Sequence, residues 1–308
     1  MAGASVALMA CGAPSHPEAS PLQQPEPASS GSSVASPPTA SLSIDFDRLR
    51  RDGAASGLPV VELTMAGRPV LAILDTGAGA SVVDREFARA AGLDAKEGAA
   101  QANATGARSV AAGRLDDVLL GIGAIGEVRS TFFVLDLPEP LRARGVSMVV
   151  SPQQLSRAGL LLDVDLARGV LQASVEVAPR SDDLALVRCE AGGGENVHYV
   201  LQGRVDGRAA TLMLDTGATR GSVLRESALG SALSARVAGR REVVGAAGSV
   251  SVDQLPGVQV ELAGKQWVLD LDLEDGSVDP ACPYEASIGI DALRHFRLRL
   301  GRDGAFLR

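Results

Sequence analysis

A stretch in the first half of this chain reappears, without a gap, in the second. Met65-Ala66-Gly67-Arg68-Pro69-Val70-Leu71-Ala72-Ile73-Leu74-Asp75-Thr76-Gly77-Ala78 lies over Val205-Asp206-Gly207-Arg208-Ala209-Ala210-Thr211-Leu212-Met213-Leu214-Asp215-Thr216-Gly217-Ala218. Each copy reads as an apolar strand, a Gly-Arg turn, a second apolar strand and then Asp-Thr-Gly-Ala. The match continues at nearly the same offset: 105–107 against 244–246, 132–137 against 267–272, 150–155 against 288–293, and in front of them 42–46 against 184–188. Self-similarity over this distance means two structurally similar halves. Two lobes of about 130 residues each are expected, 42–180 and 181–308, joined around 180–183.

Within each half the pattern is that of short strands. Leu42, Ile44 and Phe46 alternate with polar neighbours, as do Val61, Leu63 and Met65, and turn glycines such as Gly67 and Gly207 punctuate the runs. Helical signals are few, at 84–91 and near 153–157. The fold class is therefore all-β with short helices. Only 3% of residues are aromatic against 46% apolar, so the core must come from Val, Leu, Ile and Ala.

Charge and ligand chemistry narrow the function. The net charge is −8, and the arginines at 48–51 and 236–241 form short, interrupted runs, so a nucleic-acid partner is not expected. His16, His198 and His295 have no ligand-like spacing, and Cys11, Cys189 and Cys282 are equally scattered. No metal and no cofactor are expected.

The chemistry sits in the two Asp-Thr-Gly turns. A single such tripeptide is weak evidence, since Asp and Gly are common turn residues. Two copies at matching places, each directly after an apolar strand (71–74 and 211–214), say more. Each carboxylate, Asp75 and Asp215, emerges where a buried strand ends, and a merely structural turn has no need of that approach.

Leu74-Asp75-Thr76-Gly77-Ala78-Gly79-Ala80-Ser81-Val82-Val83 resembles the apolar-Asp-Thr-Gly-Ala-x-x-Ser/Thr-apolar signature of the pepsin/retropepsin superfamily of aspartic peptidases. Ala286-Ser287-Ile288-Gly289-Ile290-Asp291-Ala292-Leu293 is similar to the apolar-Gly-x-Asp-x-Leu segment that supports the catalytic turn in that family. The resemblance covers about residues 41–308. It implies a bilobal acid-protease fold of two duplicated retropepsin-like β-barrel lobes. It also implies a catalytic pair, Asp75 and Asp215, one from each lobe, sharing one proton and activating a water between them. Thr76 and Thr216 are then expected to hydrogen-bond across to the opposite turn, and Gly77 and Gly217 to bring backbone N–H groups to the carboxylates. Gly106 and Gly245 are expected in hairpin flaps over the substrate, with ordinary hairpin turns as the alternative. Because both lobes are on one chain, a monomer is expected.

Some positions depart from the family pattern. In Asp215-Thr216-Gly217-Ala218-Thr219-Arg220-Gly221-Ser222-Val223, Ser222 stands one residue later than Ser81 does, which reads as an extra residue in the loop. In the first half Ser151 replaces the expected Gly and Gln153 the expected Asp. No Tyr stands near Gly106, so the lobes look more like fused bacterial retropepsin units than pepsin.

The N-terminus adds a location. Residues 1–11 are small and apolar and end in Leu8-Met9-Ala10-Cys11, which resembles a lipoprotein-type signal peptide with Cys11 as the lipidated residue; an apolar start that signals nothing is the alternative. Residues 12–41 are rich in Pro, Ser, Ala, Gln and Glu, the composition of a disordered tether. An exported protein is expected, lipid-anchored in the bacterial cell envelope or secreted, touching membrane only through that anchor. Cys189 and Cys282 could pair in an oxidising compartment or remain two free buried thiols. The leading expectation is an aspartic endopeptidase acting on polypeptide. The alternatives are a catalytically inactive, envelope-anchored peptide-binding protein that keeps the cleft, and a purely structural envelope protein.

Overall fold

Alternating short strands are what this sequence can build, and the computed structural model consists mostly of them. It describes residues 40–50, 57–104, 108–173, 181, 183–191, 196–245, 248–302 and 304–308. All of these fall in one compact unit, Pro38–Arg308.

The duplicated segment sets the local structure. In Val60–Met65 the residues Val61, Leu63 and Met65 are buried and Glu62 and Thr64 exposed, the alternation that places one face on a core. The chain turns at Ala66-Gly67, both at positive φ (49° and 74°), and returns as Arg68–Leu74. Two central residues in the left-handed region make a type I′ turn, whose twist suits the flanking strands. Asp206-Gly207 repeats it at 47° and 73° between Asn196–Val205 and Arg208–Leu214.

Seven strands of the first half form one sheet, in the order Val60–Met65, Arg68–Leu74, Val146–Val150, Val82–Asp84, Glu127–Leu135, Arg108–Gly121 and Lys96–Ala104. Val60–Met65 also pairs with Arg108–Gly121, Thr64 opposite Gly121, which rolls the sheet toward a barrel. The second half carries Asn196–Val205, Arg208–Leu214, Ala286–Ile288, Ser222–Leu224, Lys265–Glu274, Gly248–Leu262 and Gly239–Gly245 in the same order, with Val187–Ala191 added at one edge. Arg204 opposite Glu261 closes this one. The fold is the all-β, bilobal acid-protease arrangement with two barrel-like sheets and few short helices.

A third sheet, which no local pattern announces, joins the halves. Its order is Ser41–Ser43, Val170–Ala173, Leu162–Asp165, Arg297–Leu300, Ala305–Leu307 and Leu184–Ala185: three strands from each half. At its centre Leu162 stands opposite Leu300 and Asp165 opposite Arg297. Asp163 pairs with Arg297 across the seam, and Arg299 reaches Asp183 at 2.7 Å. The matching leading segments, 42–46 and 184–188, thus contribute the two outer edges of one sheet. Of the expected junction at 180–183, only Ser181 and Asp183 lie among the described residues.

The helices form where local capping allows. Asp84 accepts the N–H groups of Glu86 and Phe87 at the start of Arg85–Ala90, and Ser151 caps Pro152–Arg157. Glu139–Arg142, Ala228–Leu233 and Ile290–Leu293 are further short helices. One large apolar core runs through both halves, including Leu74, Phe132, Leu214, Leu271 and Phe296. On the other face of the first sheet Val60, Ile73, Val82, Leu135 and Val149 form a second cluster; in the second half that place holds only Cys189, Val200, Met213 and Cys282.

Candidate active site

Each Asp-Thr-Gly turn hangs from the strand that runs parallel to its own. Leu74 pairs with Val150 and Leu214 with Ile288. The next peptide then continues the ladder: Asp75 N donates to the Val150 carbonyl at 2.9 Å and Asp215 N to that of Ile288 at 3.0 Å. The carboxylates leave their barrels at equivalent points because the duplication preserved that register.

The turns are tied to each other by their threonines. Thr76 N donates to Thr216 Oγ1 and Thr216 N to Thr76 Oγ1, both at 3.0 Å. Thr76 Oγ1 donates to the Leu214 carbonyl at 2.8 Å, and Thr216 Oγ1 to that of Leu74 at 2.7 Å. Both threonines are buried, so these bonds replace water that cannot reach the groups.

The carboxylates meet over this knot. Asp75 Oδ1 accepts from Gly77 N at 2.8 Å and Ala78 N at 3.0 Å, while Asp215 Oδ1 accepts only from Gly217 N, at 3.0 Å. Each carboxyl group also rests on the opposite turn. A Cβ at Gly77 would run into the Asp215 carboxyl, and one at Gly217 into that of Asp75, so only glycine fits at either place. The two carboxyl groups lie close enough that each perturbs the protonation of the other.

Their environments are unequal. Burial pushes both above the usual carboxylate range, but the two backbone donors and neighbouring Asp215 pull Asp75 back down. Asp215 is pushed well above it, by burial first and then by the charges of Asp75 and Glu274. The pair therefore shares a proton, and the second backbone donor at Asp75 favours the negative charge there.

The departures in the supporting segments resolve into substitutions of equal length. Val82 pairs with Val149 and Ser222 with Ser287, so Ser222 is the counterpart of Val82, and Gly221 that of Ser81. The expected extra residue is absent. Motif spacing misled because the serine moved by one strand position while the loop kept its length. Ser81 Oγ accepts from Ser151 N at 3.0 Å; in the second lobe the hydroxyl comes from Ser287, which accepts from Ser222 N at 3.0 Å. Where Asp was expected, Gln153 Nε2 donates to the carbonyls of Thr76 at 2.5 Å and Val197 at 3.1 Å, tying the first turn to the second lobe. Its counterpart Asp291 is half-buried and bonds Ala292 N at 2.9 Å; burial pushes it up to about 6.

Of the remaining sequence-stated positions, Gly245 closes the hairpin of Gly239–Gly245 and Gly248–Leu262, opposite Gly248. Gly106 and Cys11 lie outside the described residues. Cys189 and Cys282 form a disulfide with Cα atoms 5.1 Å apart, within the usual range. Among the described residues there is no cluster of His, Cys, Asp and Glu that could hold a metal, and no helix long and apolar enough to cross a membrane.

Sequence reasoning missed one group beside the pair. Arg241 grips Asp272 through two hydrogen bonds, Nε to Oδ1 at 2.7 Å and a second from Nη2. Burial first, and then the Asp272 charge, raise Glu274 to about 7. Tyr284 lies close enough that the charges of Glu274 and Asp215 add to burial in raising its phenol. Comparing strand registers of the two halves, rather than motifs, is what exposes these residues.

A family model described as Aspartyl protease matches residues 61–161. That match supports a pepsin/retropepsin-like aspartic peptidase assignment for the span it covers. The matched span runs from the strand pair that leads into Asp75 past the helix Pro152–Arg157. A protease-like function follows at that level. No curated protein matches the chain.

Proposed function

We propose that the chain is an aspartic endopeptidase, hydrolysing peptide bonds with a water activated between Asp75 and Asp215. The observation that carries this reading is the pair itself: two buried carboxyl groups meeting over one threonine knot, Asp75 with two backbone donors and Asp215 with one. Sharing a proton in this way is the known habit of the superfamily. Ionised Asp75 takes a proton from the water as it attacks the scissile carbonyl carbon, and protonated Asp215 gives its proton to the carbonyl oxygen. A tetrahedral gem-diol results. Returning a proton to the amide nitrogen as the C–N bond breaks releases amine and carboxylic acid and restores the pair. The hairpins Lys96–Ala104 with Arg108–Gly121, and Gly239–Gly245 with Gly248–Leu262, are read as flaps that shield this chemistry from bulk water. Residues 1–11 are read as a signal that leaves Cys11 lipidated and the catalytic body at the cell envelope, acting as a monomer.

The test is incubation of the full chain with a denatured mixed-protein substrate, with and without pepstatin, beside Asp75→Asn and Asp215→Asn. New peptide termini made by the parent alone, and suppressed by pepstatin, support the reading. Cleavage that persists in Asp215→Asn overturns it. Palmitate labelling in a bacterial host checks the anchor, which fails if Cys11→Ser is labelled as well as the parent.

A further inference from the structure

The two walls beside the catalytic pair have opposite chemistry, although duplication made them from the same strands. In the first lobe Val82 stands opposite Val149 on one neighbour and Phe133 on the other, and Leu135 follows two residues on. The same places in the second lobe hold Ser222, Ser287, Asp272 and Glu274. The first-lobe residues pack into an apolar cluster that reaches Ala78, on the Asp75 turn. Their second-lobe counterparts adjoin Asp215, whose proton the charge of Glu274 helps to hold.

Within the polar wall only one charge is left over. Arg241 and Asp272 neutralise each other. The Ser222 and Ser287 hydroxyls are 3.0 Å apart and bond each other. Glu274 is half-buried, and among the described residues no lysine, arginine or histidine lies within ion-pair distance of it. Removing a carboxylate from water without a cationic partner is unfavourable, and a ligand that brings the cation relieves the cost.

A peptide whose scissile bond sits at the two carboxyl groups must pass both walls. We propose that Glu274 makes this cleft selective for peptides that lay a lysine or arginine against the second lobe and an apolar residue against the first, on opposite sides of the cut. This rests on the endopeptidase reading. An apolar side chain meeting Phe133, Val82 and Val149 buries its surface, while a basic one would do so against the first lobe with no anion to receive it. On the second lobe the preference reverses, since an ammonium or guanidinium there completes an ion pair with Glu274.

The test uses the full chain and a peptide library varied at the positions flanking one cut, read by mass spectrometry. The parent should cut peptides with Lys or Arg on one side of the scissile bond about tenfold faster, as kcat/KM, than the same peptides with Gln there. In Glu274→Gln that ratio should collapse to about one. Glu274→Asp, which keeps the charge, should retain part of it and guards against a variant that merely fails to fold. Equal cutting of Lys and Gln peptides by the parent overturns the inference and leaves the endopeptidase reading intact. So does a Glu274→Gln variant whose pH profile shifts while the ratio stays. If the parent cuts nothing, the endopeptidase reading fails. Binding of the same fluorescent peptides then decides this one: tighter binding of the Lys peptide by the parent but not by Glu274→Gln supports it, and equal binding overturns it.

Discussion

Thr76 and Thr216 each accept the other's backbone N–H, and each donates its hydroxyl to the strand that leads into the other's turn. The site is thus held by bonds whose two ends come from different lobes. Neither turn can shift without stranding buried groups of the other.

Replacing Thr216 with Val keeps the β-branched shape and removes the hydroxyl, leaving Thr76 N and the Leu74 carbonyl buried without partners. Each such group costs about 1–3 kcal/mol, so Thr216→Val should destabilise by about 2–4 kcal/mol in urea unfolding, and Thr76→Val similarly. Thr216→Ser should lose much less. A Val variant as stable as the parent would mean that water reaches the knot.

Asp215→Asn should separate activity from stability. Hydrolysis should fall about 10²–10⁴-fold, since the amide cannot donate the proton, and Asp75→Asn/Asp215→Asn should be scarcely worse than either single variant. At neutral pH the variant should nonetheless melt higher than the parent. A carboxyl whose folded pKa is raised destabilises the fold once pH exceeds its unfolded value, and an amide carries no such penalty. Differential scanning calorimetry at pH 7 and pH 4 checks this, with the gain confined to pH 7.

The same sign applies to Glu274, raised to about 7, and Asp291, raised to about 6. Both hold protons in the folded chain that the unfolded chain has already released. Their unfavourable contribution is absent below about pH 4, grows as pH rises, and is complete only above the folded values. Thermal stability should therefore drift down between about pH 4.5 and 7.5. Glu274→Gln should flatten the upper part of that slope and Asp291→Asn the lower. Unchanged slopes would show that neither group titrates as its surroundings imply.

Cys189 and Cys282 close a loop of 93 positions, for which chain entropy gives about 4–5 kcal/mol as the most the crosslink can add. Thiol titration of the unfolded, unreduced protein should find neither sulfur free, and dithiothreitol should lower the melting temperature. Cys282→Ala should leave the reduced and oxidised samples melting together.

How far the sequence could be read depended on whether a feature was local or repeated. The Asp75 and Asp215 turns and the Ala66-Gly67 and Asp206-Gly207 hairpins were legible because each is short and occurs twice. Two barrel-like sheets of matching strand order reflect the same repeat, although the second adds Val187–Ala191 at its edge. The joining sheet was not legible: Leu162–Asp165 and Arg297–Leu300 are four-residue strands whose partners lie in the other half, and nothing local marks them. Ser222 was misplaced by counting from a motif, since only strand pairing shows that Val82 is its counterpart. Glu274 was invisible for the opposite reason. It breaks the repeat, replacing Leu135, and a search for likeness passes over such positions.

The joining sheet also governs when this chain can finish folding. Leu162–Asp165 has its neighbour Val170–Ala173 eight residues away, but its other edge waits for Arg297–Leu300, which lies within the last twelve residues (297–308). From the moment the first half is complete until Arg297–Leu300 emerges, that half carries an open strand edge, the feature most prone to pairing with another chain. A product truncated before Arg297 would not be a smaller version of the protein. It would be a first lobe with a sticky side, an aggregation hazard that pairing with Arg297–Leu300 removes.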